Sequence, residues 1–124
     1  MSTQVQKAYF QLVRFELILA RANFKALYDT VRLYSVRQQS TSRNTLSALC
    51  AAMDTACVWY WKEVLCLQRS AATTCLLRAA GFSAQMVIGA QQMPFRGHAW
   101  VEVQGTVVND RPYVPEIYQI LDRC

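Results

Sequence analysis

The chain of 124 residues has no apolar run that approaches the roughly 18 residues needed to span a membrane. Its N-terminus also lacks the charged, apolar and small-residue segments that mark a signal peptide. Charged residues are few, at 17%, while apolar residues make up 53%, and this balance excludes a disordered chain. These absences favour a cytoplasmic globular protein, and the length predicts a single domain over residues 1–124.

Metal ligands and disulfide partners are also scarce. Histidine occurs once, and the five cysteines form an odd set without regular spacing, which excludes a disulfide framework and fits a reducing compartment. A zinc site needs several nitrogen and sulfur donors at close spacing, which this chain does not offer. We therefore expect neither a metal ion nor a cofactor.

Positive charge is concentrated at one end of the chain. Residues 1–45 hold seven basic side chains against two acidic ones, so they carry the whole net charge of +5. The simpler interpretation is a solvated helix face, and the alternative is a docking surface for an acidic partner or peptide. Without a recognised nucleic-acid-binding motif, nucleic acid is not an expected partner.

Helical periodicity dominates the first two thirds of the sequence. Apolar residues recur every three or four positions over residues 4–38, which predicts one long helix or two helices with a wide apolar stripe. The stripe must be covered by the core or, alternatively, by a partner. Ser40–Ser42 break the pattern, and a second helix is predicted to start near Arg43 or Asn44. An amphipathic third helix is predicted from Cys66 until Gly81 ends it.

Strand patterns follow this third helix. Ala84–Ala90 is predicted to be a buried strand, and residues 91–97 a loop across Pro94. The next run alternates strictly, so its apolar residues share one face and His98 lies on the other, where it can serve a cleft. Residues 115–123 are predicted to form a short terminal helix, because Pro115 suits the first position of a helix.

Two cysteines on the third helix are expected to differ in chemistry. Cys66 lies in the first turn, beside the positive end of the helix dipole, which favours the thiolate. Nine residues at about 100° each put Cys75 on the opposite side of the helix, where it joins the core. Cys50 and Cys57 lie on one apolar helix face and are expected to be small buried hydrophobic residues.

The turn before Asp110 allows two registers. A two-residue turn at Gln104–Gly105 pairs His98 with Arg111 and directs Asp110 to the opposite face. A three-residue loop over 103–105, with a glycine bulge, puts Asp110 directly across from His98. Because a catalytic aspartate must orient the imidazole, we predict the bulged turn.

A cysteine followed by a histidine and an aspartate is the chain order of papain-like and transglutaminase-like cysteine enzymes. The segments LCLQRS, LLRAAGFSAQMVIGA, MPFRGHAWVEVQG and TVVND, within residues 43–124, resemble the lasso peptide leader-peptidase family, which is transglutaminase-like. Gly97 departs from the alanine of many members without consequence for chemistry. The resemblance implies an α+β fold: a helical N-terminal segment, residues 1–42, precedes a core in which a catalytic helix packs on a small antiparallel sheet.

The same resemblance implies a function. The expected activity is removal of the leader from a ribosomally made lasso precursor peptide, with Cys66 as nucleophile, His98 as general base and acid, and Asp110 as orienter. The chain resembles the stand-alone peptidase of a split system, which works with a separate leader-binding protein and a lasso cyclase. Whether the N-terminal helices contact those proteins or a membrane is left open.

Alternatives remain open for the groups that stabilise the oxyanion and for the class of reaction. The Cys66 backbone N–H is an expected donor, and the candidates for a side-chain donor or cleft residue are Gln68, Arg69, Trp61 and Trp100. The same thiol chemistry could transfer the acyl group to an amine, as transglutaminases do. A third hypothesis is that the chain is a non-catalytic assembly subunit, which holds partners through its basic N-terminal segment.

Overall fold

A computed structural model describes residues 3–36, 43–92 and 95–124 of the chain. These residues form five helices and four strands: α1 Thr3–Arg21, α2 Phe24–Leu33, α3 Arg43–Trp59, α4 Cys66–Ala79, β1 Ala84–Gln92, β2 Phe95–Val103, β3 Thr106–Val107, α5 Val114–Ile117 and β4 Gln119–Arg123. The predicted break at Ser40–Ser42 and the predicted loop residue Pro94 lie outside the described residues. No described helix is long and apolar enough to cross a membrane.

The N-terminal segment forms two helices, α1 and α2. The side chain of Asn23 caps α2, where its Oδ1 accepts a hydrogen bond from the Ala26 N–H at 3.0 Å. Only part of the apolar stripe of α1 is covered, because Phe10 is 66% exposed and Leu17 48% exposed. The residues that α1 buries are Val5, Ala8, Leu12 and Phe15.

Helix α4 lies at the centre of the molecule. It packs against α1, α2 and α3 as well as strands β1 and β2, and every residue from 70 to 78 is buried. The predicted amphipathic character is therefore wrong, since the other helices cover the side of α4 that faces away from the sheet. Gly81 follows the helix at a φ of 99°, and Phe82 N–H donates to the Leu77 carbonyl at 3.0 Å, so the predicted glycine stop is confirmed.

The four strands form one antiparallel sheet in the order β3-β2-β1-β4. Strands β1 and β2 pair continuously from Ala84 opposite Val103 to Gln92 opposite Phe95. The loop predicted over 91–97 is therefore wrong for its described residues, since Gln91 and Gln92 end β1 and residues 95–97 begin β2. The backbone pairing between these two stretches holds both of them extended.

Only the first part of the predicted terminal helix is helical, and most of the rest is strand β4. Helix α5 has only four residues, and β4 then pairs with β1 in a register that places Val87 opposite Arg123. The prediction from Pro115 identified the start of α5 correctly but not its length. Without β4, the long strand β1 would present an open edge, and pairing along that edge outweighs the local helical preference.

Apolar residues pack on both faces of the sheet. The main core lies between the helices and the face that carries Ala84, Met86 and Val101. The opposite face carries a second cluster built around Val87, Trp100 and Val114, which Tyr118 and Ile120 help to cover. The predicted α+β class, with a central helix on a small antiparallel sheet, is confirmed.

A single buried guanidinium joins segments that lie far apart in sequence. Arg78 on α4 donates to the backbone carbonyl oxygens of Ala84 at 2.9 Å, Tyr34 at 3.1 Å and Cys124 at 2.7 Å, and also to that of Val31. Its charge is thereby surrounded by hydrogen-bond acceptors, as burial of a cation requires. The end of α2 and the last residue after β4 meet at this side chain.

Candidate active site

Three predicted residues line one cleft between the start of α4 and strand β2. Cys66, His98 and Asp110 share a space of about 190 Å³ with Val64, Arg69, Ser70, Ala99 and Asn109. The thiol comes from a helix start, the imidazole from the sheet and the carboxylate from the segment after β3. The fold thus brings together side chains separated by up to 44 positions in the sequence.

Cys66 is the first residue of α4 and is partly exposed. The N-cap residue is Leu65, whose side chain has no acceptor for the free N–H groups of the first turn. The first intrahelical bond runs from Arg69 N–H to the Leu65 carbonyl at 2.9 Å. Cys66 therefore lies beside the free N–H groups of the first turn, at the positive end of the helix dipole.

The imidazole and the carboxylate form a close pair. His98 Nε2 lies 2.5 Å from Asp110 Oδ2, and the two side chains are 23% and 27% exposed. Asp110 Oδ1 accepts from the Arg111 N–H at 2.7 Å. The His98 ring stacks on Tyr118 with centroids 5.1 Å apart, and its centroid lies 5.9 Å from that of the Trp100 ring. A backbone N–H thus positions the Asp110 carboxylate, and two aromatic rings position the imidazole.

The predicted bulged turn before Asp110 is wrong. Gln104 and Gly105 form a two-residue turn with φ values of 52° and 79°, and the pairs beyond it are Val103 with Thr106 and Glu102 with Val107. Asp110 still meets His98, because β3 ends at Val107 and the chain leaves the strand path before Asp110. The expectation that the carboxylate needs a particular strand register was therefore also wrong.

Sequence reasoning missed Asn109. Its Oδ1 accepts from the Val101 N–H at 2.7 Å, and its Nδ2 donates to Ser70 Oγ at 3.4 Å. The signal was present in TVVND, since asparagine readily bonds to nearby backbone where a strand gives way to a turn. Its contact with α4 joins segments 39 residues apart and could not be read from the local pattern.

Three of the four oxyanion or cleft candidates are directed elsewhere. The buried amide of Gln68 donates to the Leu12 carbonyl at 2.8 Å. Trp100 is fully buried, and its indole N–H donates to Glu102 Oε2 at 2.9 Å. Trp61 is 71% exposed and is not among the residues that line the cleft. In this structure none of these three side chains offers a donor to the cleft.

Arg69 is the fourth candidate and does line the cleft. One terminal nitrogen of its guanidinium pairs with Asp54 on α3. Its buried Nε has no hydrogen-bond partner within the described part of the chain. Of the four candidates, Arg69 is therefore the side chain that lines the cleft and keeps a donor nitrogen without a partner in the described residues.

The other four cysteines do not line this cleft. All five cysteines are unpaired. Cys75 is fully buried in the main core, as predicted, and burial raises the pKa of its thiol to about 11. Burial also raises the thiol pKa of Cys50, Cys57 and Cys124. Among residues 3–36, 43–92 and 95–124, no group of three His, Cys, Asp or Glu side chains could hold a metal ion.

A cysteine at the start of a buried helix, packed on an antiparallel sheet that carries a histidine, is the arrangement of transglutaminase-like cysteine enzymes. The sequence profile of the transglutaminase-like superfamily matches residues 10–122, and the chain belongs to this superfamily. The microcin J25-processing protein McjB of Escherichia coli is 36% identical to the chain over 81 residues. That alignment covers 65% of this chain but only 37% of McjB. No solved structure matches the chain, and the two matches confirm the family resemblance drawn from the motifs.

The support beneath the imidazole depends on Gly89, which pairs with His98 across the β1–β2 ladder. A Cβ atom at Gly89 would lie 2.8 Å from the Trp100 ring and 2.9 Å from Tyr118 Cβ. We expect Gly89→Ala to cost roughly 1–3 kcal/mol of stability through overpacking and to displace both rings from His98. Thermal unfolding measures the first effect, and the NMR shift of the single histidine, which its aromatic neighbours determine, measures the second.

The matched control is Gly97→Ala. A Cβ atom there would meet nothing within 4 Å, so we expect a stability change within about 0.5 kcal/mol and an unchanged histidine resonance. If the two variants lost the same stability and gave the same histidine resonance, the proposed role of Gly89 in leaving room for the Trp100 and Tyr118 rings would be contradicted.

Proposed function

We propose that this protein is a cysteine peptidase that removes the leader from a ribosomally made lasso peptide precursor. The observation that supports it is the cleft lined by Cys66, His98 and Asp110, in which a helix-start thiol shares one space with a hydrogen-bonded imidazole and carboxylate. The likeness to a microcin-processing protein supports a peptide substrate. No cofactor enters the proposed reaction.

The first half of the reaction cleaves the peptide bond. Cys66 gives its proton to His98, and the thiolate attacks the scissile carbonyl carbon, whose π electrons move to oxygen. Since His98 Nε2 faces Asp110, Nδ1 is the nitrogen available for this transfer. The intermediate then collapses, the C–N bond breaks, and His98 protonates the departing amine, which becomes the N-terminus of the core peptide.

The second half releases the leader. His98 takes a proton from water as the water oxygen bonds to the thioester carbon. The C–S bond then breaks, the leader leaves with a new carboxyl group, and the proton on His98 returns to Cys66. Asp110 stays ionised throughout and stabilises the imidazolium that forms in each half.

The oxyanion that forms in both halves requires donors near the sulfur atom. The Cys66 backbone N–H is one of the free N–H groups of the first turn of α4, and the helix dipole adds positive potential there. Arg69 is the side chain in the cleft best suited to assist, because it lies in the first turn of the same helix as Cys66 and its Nε–H has no partner within the described residues. These groups would bind negative charge that is present only during the reaction.

The proposed partners follow the split arrangement of the family. A separate leader-binding protein would present the precursor to this chain, and a lasso cyclase would use the new N-terminal amine. The basic N-terminal segment is a candidate contact surface for an acidic partner. Within it, Arg32 already pairs with Asp29, and Arg14 lies over the rings of Phe15 and Tyr34, so these two cations are less available than their exposure alone would indicate.

The function is tested by mass spectrometry of a precursor peptide incubated with this protein and its leader-binding partner. We expect two products whose masses sum to the precursor plus one water, because hydrolysis adds water across one bond. Products that join leader to an added amine would instead indicate acyl transfer. An intact precursor after prolonged incubation with active partner would contradict the peptidase proposal.

A further inference from the structure

The ladder between β3 and β2 ends before it reaches Asp110. Its ladder with β2 contains two pairs, and Val108 N–H then donates to the Val101 carbonyl at 3.0 Å. Continued at this register, the next positions would pair His98 with Arg111, and Asp110 would point away from the imidazole. Some interaction must therefore end the ladder between Val108 and Asp110.

The side chain of Asn109 provides that interaction. In a regular ladder the Val101 N–H would donate to the Val108 carbonyl, since Val108 already donates to Val101. It donates instead to Asn109 Oδ1 at 2.7 Å. A side-chain amide oxygen thus replaces a backbone carbonyl, the ladder ends, and the chain turns so that Asp110 reaches His98.

The other end of the same amide contacts the helix of the nucleophile. Asn109 Nδ2 donates at 3.4 Å to the hydroxyl of Ser70, a buried residue one turn after Cys66 on α4. A single side chain therefore accepts from the strand of His98 and donates to the helix of Cys66. Asparagine is suited to this position because its amide combines an acceptor and a donor at one planar group.

We propose that Asn109 is a positioning residue of this active site, which fixes Asp110 against His98 and ties both to the helix that carries Cys66. This inference rests on the proposed function for its kinetic test. Asn109 itself exchanges no proton with substrate in this scheme. Its effect passes through Asp110 and should therefore disappear when Asp110 is absent.

The kinetic test is a double-mutant cycle on precursor cleavage. We expect Asn109→Ala to lower kcat roughly 10- to 100-fold with little change in KM, because the Asp110 carboxylate is displaced while the other side chains that line the cleft are kept. In an Asp110→Ala background the same substitution should cause no further loss. Equal losses in both backgrounds would overturn the proposal, as would full activity of Asn109→Ala.

A conservative variant and a matched control separate positioning from stability. In Asn109→Asp one oxygen can still accept from Val101, and the Ser70 hydroxyl can donate to the other, so we expect kcat within about threefold of wild type. Asn23→Ala removes a comparable side-chain bond to backbone, remote from the cleft. It should lower the melting temperature without changing kcat. A shared loss of kcat in Asn23→Ala and Asn109→Ala would indicate a stability effect only.

A second measurement needs no substrate. His98 is the only histidine, so its Cε1–H proton gives a single NMR resonance. We expect Asn109→Ala to shift that resonance toward the position found in Asp110→Ala. An unchanged resonance would overturn the inference. If wild type cleaves no precursor, the proposed function fails while this resonance still decides the role of Asn109.

Discussion

Cys66→Ala is expected to abolish precursor cleavage, with a loss on the order of 10⁵-fold or more. The alanine side chain offers no nucleophile, and water alone must then attack the peptide bond within the cleft. The helix start should remain intact, because the cap of α4 depends on backbone and not on this side chain. Product mass measured against time for both proteins checks the expectation.

The control for this substitution is Cys75→Ala on the same helix. Cys75 is fully buried and burial raises the pKa of its thiol to about 11, so it contributes packing rather than chemistry. We expect unchanged cleavage and a stability loss of ~1 kcal/mol. Cleavage at the wild-type rate by Cys66→Ala would eliminate the proposed nucleophile and favour the role of an assembly subunit.

Asp110→Asn is expected to lower kcat by roughly 10²- to 10⁴-fold while KM stays close to wild type. The substitution retains the shape of the side chain but removes the negative charge that lies 2.5 Å from His98 Nε2. A neutral amide stabilises an imidazolium poorly and can donate to the ring, which favours the wrong tautomer. Steady-state kinetics on the precursor, together with a thermal unfolding curve, measure the effect.

Asp122→Asn is the matched control for this charge. Asp122 accepts from the backbone N–H of Arg123 at 2.8 Å, as Asp110 accepts from that of Arg111 at 2.7 Å. It bonds to Tyr28 and does not line the cleft. We expect a change in stability without a change in kcat. An unaltered kcat in Asp110→Asn would remove the aspartate from the mechanism.

Local sequence patterns predicted the helical N-terminal segment, helices α3 and α4 and the strand of His98. The order of cysteine, histidine and aspartate, together with the family resemblance, singled out the three cleft residues. The first-turn position of Cys66 follows from one periodic segment and its glycine stop, and the face of His98 follows from strict alternation. Each depends on contacts within about one or two turns or along one strand. The assignment of their chemical roles remains a prediction for the experiments above.

The features that sequence did not predict depend on distant contacts. Strand β4 forms because the edge of β1 is open, which the residues of β4 themselves do not reveal. The path to Asp110 depends on Asn109, whose amide bonds to a strand eight residues earlier and to Ser70 on α4. Likewise, α4 has no exposed face because helices from elsewhere in the chain cover it. Tertiary packing outweighs local preference in all three places.

The bonds of Arg78 bear on which part of the chain can fold alone. Residues 43–124 contain every residue of the cleft and the whole sheet, yet two of the carbonyl oxygens around this guanidinium, those of Val31 and Tyr34, belong to the preceding segment. Removal of that segment would leave a buried cation short of acceptors and would uncover one side of α4. The segment that carries the cleft residues is thus smaller than the smallest fragment that we expect to fold autonomously. Fragments prepared for crystallisation or NMR should therefore retain α1 and α2.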